Sequence, residues 1–275
     1  MTRPATLTSA ARAIVISSDI NTKLALSRGT AFAWRRQILS VRDPISIRKC
    51  LPDRPGRPAR PALLPPRKMP SRSLGTPEGR FALLHALAHI ELNAIDLTWD
   101  LIARFSYEDL PRAFYDDWIS VGLEESVHFG LLQQRLGELG GTYGDLPAHG
   151  ELWQAAQATG HDLLARLAVV PLVLEARGLD VSPGLIRNLE RSGDNVSANI
   201  IRTLYDDEKG HVAIGMRWFR FLCWRTGQPL EPTFHRLVRT YFRGALKPPF
   251  NDEARSAAGL SPGFYKPLTA FGAPA

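Results

Sequence analysis

Disulfide chemistry has little to work with in this chain. Its 275 residues hold two cysteines, Cys50 and Cys223, too few for a disulfide framework, so a reducing compartment is the default. Long apolar runs are missing as well. The longest, Leu163 to Ala176, is interrupted by Arg166, Pro171 and Glu175 and is too short and too charged to span a bilayer. No n-region, apolar h-region and small-residue cleavage site open the sequence, so a soluble cytoplasmic protein with no membrane attachment is expected. Strand-like alternation is almost absent, which predicts an all-α fold.

Charge is present in both signs but unevenly spread. The formal net charge is +7, yet residues 1–80 carry +12 and the remainder −5. The basic character belongs to the N-terminal segment and not to the main body. Such a segment can contact phosphates, although a solvated, partly docked arm is the plainer expectation. Eight prolines between Leu51 and Pro77 exclude a helix there and predict an extended arm. Leu63, Leu64 and Met69 among those prolines suggest apolar anchors by which the arm docks and bounds the entrance to a site.

Helical periodicity is weak over Thr8–Ile16 and Thr30–Leu39 and becomes strong from Gly79. Four long helices are expected near residues 80–105, 111–138, 150–177 and 194–224. The third should stop at Gly178, with a short helix after Pro183, another near 232–243, and an irregular tail. The expected organisation is a basic segment with a Pro-rich arm over 1–78, a four-helix bundle over 79–225, and a C-terminal extension over 226–275.

Glu-x-x-His occurs twice, as Glu125/His128 in the second long helix and Glu208/His211 in the fourth. Residues three apart share a helix face, so each pair can offer a carboxylate and an imidazole to one point. The other two long helices each embed a glutamate in an apolar run: Glu91 in HALAHIELNAIDL and Glu175 in VVPLVLEARGL. One Glu from each of two helices and one Glu-x-x-His from each of the others is the ligand set of ferritin-like dinuclear carboxylate bundles. Four carboxylates buried together would repel and be desolvated, whereas two divalent cations cancel their charge and leave the histidines neutral. Glu124 and Asp207, each preceding a motif glutamate, fit acceptors for the free N–H of a ligand histidine. Tyr205, three residues before Glu208, is a candidate redox or hydrogen-bonding group beside the metals, with a buried aromatic as the plainer reading. For His85 and His89, off the face of Glu91, capping or core hydrogen bonding is preferred to ligation.

The segments GRFALLHALAHIELNAIDL, GLEESVHFGLL, PLVLEARGLDVSP, YDDEKGHVAIG and LKPPFNDEARSAAGL, with the Pro-rich arm, resemble the bacterial ferritin-like family called domain of unknown function 455. The resemblance implies a ferritin-like bundle with a carboxylate-bridged dinuclear site on Glu91, Glu125, His128, Glu175, Glu208 and His211. It supplies no substrate. A more distant likeness is to di-iron tRNA hydroxylases. The expected function is therefore O2-dependent oxidation or hydroxylation of an unidentified substrate, using two transition-metal ions (iron first, manganese as the alternative) and an unidentified electron donor. A ferroxidase or iron-handling role, or an RNA-binding or tRNA-modifying role resting on the basic arm, are the alternatives; no RNA-binding motif accompanies the latter.

Overall fold

The computed structural model describes residues 6–41, 51–65, 68–70, 73–243 and 245–269; Cys50 lies outside them. Every regular element among the described residues is helical, with two isolated bridge pairs, Thr6–Ser40 and Leu63–Ala148, besides. None of these helices is long and apolar enough to cross a membrane. Internal contacts divide the chain into two compact units, Met1–Trp153 and Gln154–Ala275.

In the first unit, α1 (Leu7–Ile16) starts at a reciprocal cap between Thr6 and Ser9. Helix α2 (Ile20–Arg35) begins ten residues before the expected Thr30, because the Asp19 carboxylate accepts from the Thr22 N–H at 2.7 Å. It stops short of Leu39, where Gln37 takes a left-handed φ of 57° and Ile38 N–H returns to the Ala33 carbonyl. Helix α3 (Pro77–Phe105) has Thr76 as its cap and Pro77 in its first turn, where a missing N–H costs nothing. Helix α4 (Arg112–Glu138) follows a six-residue connection and forms a hairpin with α3. Trp99, Phe105, Phe114, Trp118 and Phe129 are wholly or almost wholly buried along this hairpin, each contributing about 1.5–3 kcal/mol of transfer free energy.

Lys23 of α2 and Asp96 of α3, both 1 % exposed, form a buried ion pair. The ammonium also donates to the carbonyls of Val15 and Gly56, each at 3.4 Å. Burial raises the Asp96 carboxyl to about 6 against the opposing pull of Lys23.

The Pro-rich arm does dock, with two of its three anticipated anchors, Leu64 and Met69, half-buried. Leu63 is 48 % exposed. The arm is held instead by backbone: Gly56 N–H to Val15 O at 2.8 Å, Leu64 N–H to Ala148 O at 2.8 Å, and Ala148 N–H to Ala62 O at 3.0 Å. Trp153 Nε1 donates to Asp53 O at 2.7 Å. A Cβ at Gly56 would stand 2.1 Å from the Ile16 carbonyl oxygen, so only glycine permits this approach. The Arg57 guanidinium donates to Asn93 on α3, roughly 160° around that helix from Glu91 at 100° per residue. The arm thus lies on the face of α3 turned away from Glu91, because its hydrogen-bonding partners are there.

In the second unit the expected third helix is broken, and in a different place. α5 (Glu151–Ala158), which contains the division between the units, ends at Thr159, and α6 (Leu163–Val169) restarts on the Asp162 cap. The buried Arg166 holds the break, donating to Thr159 Oγ1 at 2.9 Å and Ala156 O at 2.7 Å. A π-helical segment, Val170–Glu175, leads directly into α7 (Ala176–Arg191), which runs through Gly178 and Pro183 where a stop was expected. α8 (Asn195–Arg225) returns along α7 from the Asp194 cap. α9 (Leu230–Tyr241), α10 (Asp252–Ala257) and α11 (Pro262–Tyr265) follow, so the tail is more ordered than expected.

Removing one partner of a buried ion pair leaves an uncompensated charge, whereas replacing both with apolar groups does not. Lys23→Met should cost about 3–5 kcal/mol by urea unfolding at pH 7, and Lys23→Met with Asp96→Leu should recover most of it. The folded Asp96 pKa is raised, so its contribution is fully present below the unfolded value near 3.8 and is lost as pH rises through about 6. Without Lys23 that pKa climbs further, so the variant takes up its proton at a higher pH than the parent, and the single-variant deficit should shrink as pH falls toward about 6 and level off below it; a deficit constant from about pH 8 to 6 would contradict this assignment.

Candidate metal centre

Helix α3 buries Leu84, Ala88, Glu91, Ile95 and Ile102, a stripe at helical spacing that carries one carboxylate. Helix α4 likewise buries Val121, Glu125, His128, Phe129 and Leu132. Packing the two stripes together brings Glu91, Glu125 and His128 into one cluster whose donor atoms lie within 4.8 Å of one another. His128 Nδ1 stands 3.5 Å from Glu91 Oε2 and 3.5 Å from Glu125 Oε2. Both separations exceed the usual N–H···O range. They come close to the spacing of donors around one tetrahedral cation, where ligands at about 2.1 Å from a metal stand about 3.4 Å apart. The residues present therefore fit a divalent ion.

Charge in this pocket is poised for exchange. Burial first, and the facing Glu125 charge next, hold the Glu91 carboxyl well above the ordinary carboxylate range. Burial disfavours a charged His128, but hydrogen bonding and charge from Glu125 and Glu91 outweigh it and push the imidazole up to about 11.

The second unit repeats the chemistry. His211 Nδ1 lies 3.2 Å from Glu208 Oε2 on α8, with the imidazole fully buried. Glu175 is the last residue of the π segment. A π turn carries an extra residue per turn and re-aims the side chains beyond it. Here the wide turn is pressed on α8 at Gly215, where a Cβ would come 2.6 Å from Pro171 Cβ. Tyr205 is half-buried; its hydroxyl accepts from Asn251 Nδ2 at 3.0 Å and its ring faces Lys209 Nζ at 4.2 Å. Glu124 accepts from Ser120 Oγ at 3.1 Å, and Asp207 is half-buried on α8.

The histidines on the far face of α3 are hydrogen-bonded. His85 Nε2 accepts the Gly144 N–H at 2.9 Å, and its ring stacks on Tyr143 at 5.2 Å. His89 bonds Tyr143 Oη at 2.8 Å and the His149 carbonyl at 3.0 Å. Burial, then the nearby Arg57 charge, lowers His89 to about 4, so it stays neutral. Asp180, Asn251 and Arg255 escaped the sequence reading. The signal for Asn251 and Arg255 was the tail LKPPFNDEARSAAGL, with polar residues set among apolar ones, and Asp180 stood in the segment read as a break before Pro183.

A cation entering the first cluster competes with the proton on His128 and with any on the raised Glu91 carboxyl. His128 charge is fully retained below pH 6.5 and lost only as pH rises through about 11, so acid competes with metal. Calorimetry at pH 7 in two buffers of different ionisation enthalpy should show about one or more protons released per ion bound, with affinity falling toward pH 5. Release of none would show that these groups do not ligate.

The model of the family described as "Protein of unknown function (DUF455)" matches residues 16–266. An uncharacterized protein of Haemophilus influenzae is 43% identical over 209 residues, covering 74% of this chain and 73% of that one. No solved structure matches.

Proposed function

The chain belongs to the DUF455 family, and for this member we propose a dinuclear metal protein of the ferritin-like type, with iron the favoured metal, that oxidises or hydroxylates a substrate with O2. The observation that carries the reading is the buried Glu91–His128–Glu125 cluster at cation spacing. Support comes from its repetition, since Glu175, Glu208 and His211 supply the same chemistry a second time. Glu91, Glu125 and His128 would hold one ion and Glu175, Glu208 and His211 the other. Four carboxylates against two divalent cations leave the set neutral, which the buried helix faces require. A reduced iron pair would supply the electrons for O2 chemistry.

The chain's own part is to orient these groups and exclude bulk water. Leu92, Ile95, Phe129 and Leu132 are sealed around the first cluster's helices, lowering the local dielectric and strengthening each charge interaction. Glu124 and Asp207 would fix histidine tautomers from the facing helices.

Anaerobic reconstitution with Fe(II) should load about two ions per chain, and admitting O2 should bring rapid O2 consumption. His128→Ala and His211→Ala should each lose about one ion. Full loading of both variants would sink the proposal.

A further inference from the structure

The C-terminal tail ends in a cluster of buried polar residues that the metal reading does not use. Pro183 has no N–H, so the Leu179 carbonyl four residues earlier loses its helical donor. Asn251, from the tail, replaces it: Asn251 Nδ2 donates to Leu179 O at 3.1 Å. The same amide group donates to Tyr205 Oη on α8 at 3.0 Å, and the Asn251 backbone N–H donates to Asp180 Oδ1 at 3.0 Å. One turn on, Arg255 grips Asp180 with both sides of its fork, Nε to Oδ1 at 2.8 Å and Nη2 to Oδ2 at 2.7 Å. Its Nη2 also donates to the Ala176 carbonyl at 3.2 Å.

Both charges are desolvated: Arg255 is 3 % exposed and the Asp180 side chain fully buried. The guanidinium rests against the paired rings of Phe250 and Tyr265, 5.1 and 4.6 Å from their centroids. Arg177 reaches the other way, donating to the carbonyls of Lys247 at 2.7 Å and Pro249 at 3.3 Å. Residues 176, 177, 179 and 180 are thereby tied to the tail, and these are four of the five residues after Glu175. On α8 the tie falls on Tyr205, one turn from Glu208. Between them α7 passes close by: a methyl at Gly178 would stand 3.4 Å from Glu208 Cγ.

We propose that the tail segment from Lys247 to Arg255 is a positioning clamp for the second half of the metal centre. Asn251 and Arg255 fix the helix that leaves the π turn against α8, and so set Glu175 relative to Glu208 and His211. A π-to-α junction can relax by passing its extra residue along the helix, which would swing Glu175 through about 100°. Bonds at Ala176, Leu179 and Asp180 block that passage. None of the clamp residues is a ligand; they act through the ligands. The inference rests on the metal reading above.

Cobalt(II) titration of the full chain tests it, because the visible bands of cobalt report ligand geometry directly. Unaltered protein should take up two Co(II) ions. Asn251→Asp and Arg255→Lys should keep one ion at its original affinity and bind the other about tenfold or more weakly, with altered bands. Tyr205→Phe removes one hydroxyl without disturbing the packing, so it serves if the other variants do not fold, and it should shift the same ion in the same direction. Variants that melt at lower temperature but superpose on the parent in the cobalt titration would overturn the clamp alone, leaving a merely structural anchor. No Co(II) uptake by the unaltered chain would overturn the metal reading and the clamp with it.

Discussion

Two carboxylates and an imidazole share one dry pocket between α3 and α4, and their charge has to be balanced. Glu91 and Glu125 cannot both be ionised beside apolar helix faces unless a cation or protons compensate them. Burial raises the Glu91 carboxyl, the two glutamates beside His128 raise its imidazole, and the donor separations of 3.5 Å are long for hydrogen bonds. The α3/α4 hairpin, with its aromatic core, keeps these groups in register. Outside the site, a second buried pair, Lys23–Asp96, ties α2 to α3 by the same rule.

Polar groups buried on the other faces do structural work. On α3, the stripe His85, His89 and Asn93 receives the loop around Tyr143 and, through Arg57, the Pro-rich arm. On α7, Asp180 receives the tail. Each unit thus has one helix hairpin carrying Glu and His chemistry and one flanking segment tied on by side-chain hydrogen bonds. Through this arm the basic N-terminal segment is tied to α1, α3 and the loop at Ala148.

Local rules were legible wherever the chain satisfied its own needs locally. The Asp194 cap and the embedded Glu91 and Glu125/His128 rest on neighbours a few residues away, and the helices that carry them came within three residues of expectation, α3 starting at Pro77, which reads in the sequence as part of the arm. The third helix did not, because its outcome depends on distant partners. Gly178 and Pro183 read as a stop, yet α7 continues because Asn251, 68 residues after Pro183, satisfies the carbonyl that proline strands. The π segment has no signal of its own; it shows in the packing of Pro171 on Gly215. The arm was expected to dock through Leu63, Leu64 and Met69; Leu63 is exposed, the other two are half-buried, and the hydrogen bonds that hold the arm come largely from its backbone, which no composition argument can read. Six candidate ligands followed from spacing alone, while the residues that hold them in place did not.

The central claim is that the two sets of ligands, Glu91/Glu125/His128 and Glu175/Glu208/His211, serve one dinuclear centre. Iron K-edge X-ray absorption on the anaerobically loaded protein addresses it directly. The account predicts oxygen and nitrogen neighbours at about 2.0–2.2 Å and an iron–iron vector at about 3.5–4 Å. Two bound iron ions with no iron–iron vector would contradict it, and would mean two separate mononuclear sites.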